Sequence, residues 1–219
     1  MKPVIKVCCI ASLAEARLAV ATGADALGLV SAMPSGPGVI DDTTIAAIAA
    51  AVPRPTRTFL LTARTTAESI AEQHARAGTT TLQLVDHVPA DELRRLRRLC
   101  PAVELVQVIH VTGEDAVAEA LAAAPQVDAL LLDSGNPALA VKELGGTGRT
   151  HDWTLSRRIR DAVWPLPLFL AGGLHAGNVA AALAAVQPQG LDLCSRVRTE
   201  GKLDPRRLRE FVAAARHMP

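Results

Sequence analysis

The sequence predicts one (β/α)8 barrel, an α/β fold with a closed parallel sheet, as a single domain over residues 1–219. Three observations predict it. Eight short apolar runs alternate with longer Ala-rich amphipathic stretches at a spacing of roughly 27 residues, the size of a compact strand–helix unit. No glycine fingerprint follows the first run, since the stretch from Cys8 to Leu13 contains no glycine, which weakens an open dinucleotide-binding sheet as the rival fold. Glycines cluster late instead, at 145–148 and 172–173, where barrels commonly hold phosphate through backbone N–H groups.

In chain order, the strands are expected from Val4, Ala26, Arg57, Thr81, Glu104, Asp128, Pro167 and Gly190. Runs this short and this apolar suit strands buried on both faces. The first helix follows Ser12, which can cap it, and the second follows Asp42. In the fourth helix Leu93 and Leu96 share a face opposite Arg94, Arg95 and Arg98. The last helix begins with Asp204 as cap and Pro205 behind it, and turns Leu208, Phe211, Val212 and Ala215 to the core.

Composition excludes several classes. A net charge of +1 and 2% aromatic residues, with no Tyr, argue against nucleic acid as a partner. No apolar run approaches the roughly 18 residues that cross a bilayer, and the start of the chain lacks a secretory pattern, so no membrane role and a cytoplasmic location are expected. Four cysteines, two of them adjacent, make neither a disulfide framework nor a zinc site.

In a barrel, chemistry sits where strands end. Alternation turns Lys6 and Cys8 inward and Ile5, Val7 and Cys9 towards the helices. Cys8 is either a small buried apolar residue or a reactive thiol, which a nearby cation would shift towards thiolate. Asp133 ends the sixth strand facing inward, as a general acid/base or half of an ion pair. Asp192 on the eighth strand faces Lys6 on the first, and a structural pair is the favoured reading of both. The glycine clusters with Ser195 outline a three-loop cup for phosphate, with Gly173 and Leu174 near a helix start. His110, on the face of Val106 and Val108, is a candidate pocket residue. His74 and His217 read as solvated, and His87, His151 and His175 lie near loop starts. No metal motif, serine-hydrolase elbow or mouth-level lysine is present.

At these residues the sequence resembles the phosphoribosylanthranilate isomerase family of tryptophan biosynthesis, nearly end to end. The resemblance is carried by KVCCI, GADALGLV, LLLDS, LGGTGRTHDW, LAGGLHAGN and LDLCSRV. It implies an isomerase performing an Amadori rearrangement of a small phosphorylated aminosugar, without cofactor or metal, as monomer or homodimer. It implies Cys8 as general base and Asp133 as general acid. Gly146, Thr147, Gly148, Gly172, Gly173 and Ser195 would hold phosphate, with Asp192 near the substrate. The chain departs from the family at Gly38, where the family has the Arg that meets the anthranilate carboxylate, and at Val85, where it has His. Cys9 and Arg196 replace glycines, and Cys194 a serine. Arg64, Arg196 or Arg198 are the candidate replacements for the missing cation. The alternatives are a related isomerase for a sugar phosphate lacking the aromatic carboxylate, and a non-catalytic phosphate-ester-binding barrel.

Overall fold

Eight parallel strands close in chain order: β1 (Val4–Val7), β2 (Ala26–Val30), β3 (Arg57–Thr62), β4 (Thr81–Leu84), β5 (Glu104–His110), β6 (Ala129–Asp133), β7 (Leu168–Leu170) and β8 (Gly190–Leu193). The structure is a computed structural model describing residues 2–216; His217 lies outside the described residues. β8 pairs with β1, Lys6 opposite Asp192, which closes the cylinder as the sequence predicts. The helices are α1 (Leu13–Thr22), α2 (Asp42–Ala51), α3 (Ala67–Ala77), α4 (Ala90–Leu99), α5 (Asp115–Ala123), α6 (Trp153–Val163), α7 (Val179–Val186) and α8 (Pro205–Arg216). A small antiparallel ribbon, β9 (Arg198–Thr199) and β10 (Lys202–Leu203), precedes α8. Strands of two residues carry no period, so the sequence does not announce them. Among the described residues no helix is long and apolar enough to cross a membrane.

The period of two sorts the strand residues into two cores. Ile5, Val7, Leu27, Leu29, Leu130 and Leu132 join the layer between sheet and helices. Ala26, Phe59, Val106, Ala129, Leu131 and Phe169 fill the cylinder. Phe59 and Phe169 meet edge to face at 5.9 Å. Below them the Arg57 guanidinium stacks 5.5 Å from the Phe59 ring centroid and bonds Glu104 at 3.0 Å. This stack fills the lower end of the cylinder, opposite the strands' C-terminal ends, where barrels carry their sites.

Local chemistry sets the helix starts. Ser12 Oγ accepts from Glu15 N–H at 3.2 Å, as expected. The cap of α2 is Asp41 rather than Asp42: Asp41 is extended and accepts from Thr44 N–H, while Asp42 is already helical and its carboxylate reaches Gln73 and Arg76. Asp204 accepts from the N–H groups of Arg206 and Arg207.

Glu15 fastens the first βα loop to the last. Its carboxylate accepts from Ala11 N–H, Leu203 N–H and Arg198. Burial pushes its pKa up, but Arg198 and the two backbone donors outweigh burial and hold it below the ordinary value. Glu15→Ala should therefore lower stability by about 2–4 kcal/mol near neutral pH, because it strands Arg198. A carboxyl with a depressed folded pKa stabilises above its unfolded value of ~4.3 and loses that contribution as pH falls through the folded value. Urea titrations of both proteins should show the gap narrowing below that range.

Candidate active site

Cys8 lies one residue past β1, 6% exposed, and points into the cylinder above Lys6. Lys6 is fully buried, its Nζ 2.8 Å from Asp192 Oδ1 and 5.2 Å from the Phe59 ring centroid. The expected pair thus exists, and Asp192 also lines the cavity above it. Burial pushes the Asp192 carboxyl up and nearby Asp133 adds to this, against the attraction of Lys6. Burial also disfavours charge on Lys6, but Asp192, with a smaller pull from Cys8, holds its pKa above the ordinary lysine value. Both side chains fit because β2 presents Gly28 here. A Cβ at Gly28 would come 2.9 Å from Cys8 Sγ and 3.1 Å from Lys6 Nζ. The sequence holds the signal for this, a glycine inside an apolar strand, which marks a close approach.

Above this layer a cavity opens at the C-terminal ends of the strands, where barrels of this kind place their ligands. Cys8 reaches it from β1 and Asp133 from β6, with β7 and β8 lying between those strands on one side. Val30, Met33, Leu61 and Leu144 give it an apolar wall. Gln83, 3% exposed, also lines it, and its Oε1 has no hydrogen-bond partner. A buried orphan acceptor in a pocket is suited to a ligand donor. Among the described residues, no group of three or more His, Cys, Asp or Glu is gathered as a metal site.

Gly146, Thr147, Gly148, Gly172, Gly173, Ser195 and Arg196 all line the same cavity. Thr147 Oγ1 is 2.6 Å from Ser134 Oγ, and Arg196 donates to the Gly148 carbonyl at 3.3 Å. The loop after β7 packs directly on the loop after β6: a Cβ on Gly172 would lie 2.9 Å from the Arg149 carbonyl oxygen. This turn does not run straight into a helix. α7 begins at Val179, and Asn178 bridges back by donating to the Gly173 carbonyl and accepting from His175 N–H. The N–H groups of Gly173 and Leu174 therefore belong to a separate turn, not to a helix end.

Several expected positions differ. Cys9 faces inward, because its φ of +61° ends the strand alternation and swings the side chain into the inner core. Its Sγ lies 2.7 Å from that of Cys194. Gly38, with φ +76°, backs onto it, and a Cβ there would sit 2.5 Å from Cys9 Cβ, so an Arg at this position has no room. His110 does not line the cavity. Its Nε2 bonds the Val85 carbonyl at 2.9 Å, and Gly135 of the next loop covers the ring, a Cβ there falling 2.6 Å from Nδ1. Arg64 is exposed and bonds the Ser69 carbonyl outside the cavity. Arg198 is held by Glu15 and the carbonyls of Cys8 and Cys9, so Arg196 is the one candidate cation at the rim. His74 is bound to the Thr79 carbonyl rather than solvated. His87 and His175 are exposed, while burial lowers the pKa of His151.

The thiols are unequal. A hydrogen bond from Cys9 lowers the Cys194 pKa, helped by Arg198 and opposed by burial. The hydrogen bonds to Cys194 and Cys8, then burial, push Cys9 well up, and burial raises Cys100. A lowered pKa means more thiolate at a given pH. Mapped alkylation by iodoacetamide across a pH series should label Cys194 with a midpoint below that of Cys100.

The sequence profile described as N-(5'phosphoribosyl)anthranilate (PRA) isomerase matches residues 5–214. The N-(5'-phosphoribosyl)anthranilate isomerase of Methanosarcina acetivorans is 31% identical, covering 99% of this chain and 94% of its own. That of Haloferax volcanii is 36% identical over 97% of this chain and 92% of its own. The solved phosphoribosyl anthranilate isomerase of Thermotoga maritima matches with a TM-score of 0.83 at 26% identity, over 100% of both chains. With the barrel, the rim and the full-length similarity in agreement, this chain belongs to the N-(5'-phosphoribosyl)anthranilate isomerase family and is an isomerase.

Proposed function

We propose that the protein converts N-(5'-phosphoribosyl)anthranilate to its 1-amino-1-deoxyribulose isomer, an aldose-to-ketose step of tryptophan biosynthesis, with Cys8 as general base and Asp133 as general acid. The observation that carries the reading is one cavity lined by Cys8 and Asp133 from separated strands, beneath a glycine-rich rim. Asp133 gives its proton to the ring oxygen as the C1′–O bond breaks, leaving a protonated imine between C1′ and the anthranilate nitrogen. Cys8 thiolate removes the C2′ proton, and the electron pair moves to the nitrogen, giving an enolamine. Protonation at C1′ and loss of the O2′ proton complete the ketose. Acid and base must flank the sugar from different sides, as strands β6 and β1 allow. The scheme uses no metal or cofactor.

The phosphate is assigned to N–H groups of Gly146, Gly148, Gly172 and Gly173 and the hydroxyls of Thr147 and Ser195, with Arg196 alongside. The Lys6–Asp192 pair lies directly beneath Cys8 and floors the site. Met33, Leu61 and Leu144 suit an aromatic ring. The substrate is a small phosphorylated sugar held by one chain, which is compatible with either a monomer or a homodimer in a cytoplasmic setting.

A second reading is favoured by the loop after β2: Gly38 backs onto Cys9, and no cation from that loop reaches the aryl end. In it, the same acid/base pair acts on a sugar phosphate lacking an aromatic carboxylate. Loss of phosphoribosylanthranilate fluorescence with purified protein tests the first reading. Turnover abolished in Cys8→Ala is expected, and none in the wild type would reject it. Comparison with the phosphoribosylaniline analogue separates the readings: a carboxylate met by a desolvated cation predicts a loss of roughly tenfold or more in kcat/KM on its removal, whereas the second reading predicts little change.

A further inference from the structure

We propose that Cys9 and Cys194 form a dithiol modification site, oxidised by a peroxide or a small disulfide to a disulfide that links the first and last βα loops. The two sulfurs lie 2.7 Å apart across the β1–β8 seam, although 185 positions separate them in the chain. A disulfide needs ~2.05 Å, so bonding requires less than ~1 Å of closure. Cys8 is a poor rival for Cys194 as the partner of Cys9. Adjacent residues have Cα atoms ~3.8 Å apart, below the ~4.4–6.8 Å span of ordinary disulfides.

The pair has divided roles. Cys194 is half-buried and lines the cavity, and it is the most exposed of the three thiols there, open to a small oxidant entering from the mouth. Its thiolate is favoured by the Cys9 hydrogen bond and by Arg198. Cys9 is more deeply buried beside it and keeps its proton. That is the arrangement of an attacking thiolate with a resolving thiol beside it. The Cys194 sulfur attacks a peroxide oxygen, giving a sulfenic acid and hydroxide. The Cys9 proton neutralises that hydroxide, and the Cys9 sulfur then displaces a second hydroxide from the sulfenic sulfur, which takes up the proton that Cys194 released to solvent on ionising. Two thiols lose two electrons, and one peroxide becomes two waters. With a small disulfide, Cys194 forms the mixed disulfide and Cys9 expels the remaining thiol.

The link pulls on Cys8 and Ser195, the neighbours of the two bridged residues. Resting on the proposed role of Cys8, it should lower turnover, since a misplacement near 1 Å can cost on the order of 100-fold.

The experiment treats intact wild-type protein with hydrogen peroxide, then with oxidised glutathione in a parallel sample. Remaining thiols are trapped with N-ethylmaleimide, and unreduced peptides are mapped by mass spectrometry. The expected result is a Cys9–Cys194 linked peptide, with Cys100 alkylated and the link cleaved by dithiothreitol. Turnover of phosphoribosylanthranilate should fall by roughly tenfold or more on oxidation and return on reduction. Cys194→Ser should give no linked peptide and retain a far larger fraction of its own starting activity. Four alkylated thiols after oxidation, or oxidation confined to Cys8 or Cys100, would overturn the proposal. The mapping does not depend on any catalytic assignment, so it stands apart from the fate of the proposed function.

Discussion

Asp133→Asn should lower kcat by roughly 100- to 10,000-fold, the range of a lost general acid, with Cys8→Ala falling at least as far. Asparagine keeps the shape of the side chain but cannot release a proton to the ring oxygen. The fold should not suffer. Asp133 acts on the Asp192 carboxyl only by repulsion, which pushes that carboxyl up, and asparagine cannot exert it. The thermal midpoint of Asp133→Asn should therefore equal or exceed that of the wild type. Fluorescence-monitored turnover and calorimetry together check this, and near-normal kcat in either variant would remove the acid/base assignment. The double variant should be scarcely slower than the worse single one, because residues that act as a unit are not additive.

Lys6→Met should have the largest effect on stability, about 3–5 kcal/mol, because it leaves the Asp192 carboxyl without its partner in the interior. The side chain of Lys6 is 0% exposed and that of Asp192 is 9% exposed, so little water can replace the lost contact. Adding Asp192→Leu should recover much of the loss, since an apolar pair of similar volume often matches a buried ion pair. Without Lys6, burial raises the Asp192 pKa further. A carboxyl with a raised folded pKa is better tolerated below its unfolded value and destabilises as pH rises. The deficit of Lys6→Met in urea should accordingly shrink towards acid pH. An unchanged urea midpoint would mean that the pair contributes nothing to the seam.

The barrel was legible because burial on both faces of every strand leaves uninterrupted apolar runs that no helix of the same length would need. Inward direction was legible wherever the chain stayed extended: Lys6, Leu131 and Asp133 follow the period of two. It failed at Cys9, one step past Cys8, where a positive φ replaces the pleat and a non-glycine residue gives no warning of it. His110 shares a face with Val108, but what covers it is Gly135 on a loop from another strand, a contact between distant positions that periodicity cannot carry. The arginines were ambiguous for a similar reason. Arg64, Arg196 and Arg198 are long and flexible, and their partners, Ser69, Gly148 and Glu15, decide which one stays at the rim. In the sequence Gly38 marks only an absent cation, whereas its geometry reveals a tight backbone seat for Cys9.

The salt link joining the ends of the cylinder has a consequence for how the chain is made. Lys6 leaves the ribosome 186 positions ahead of its partner. Until that partner is made, the ammonium group has nowhere dry to go, and the sheet keeps two open edges. Completion of β8 closes both at once, so the chamber cannot form before the eighth strand is made.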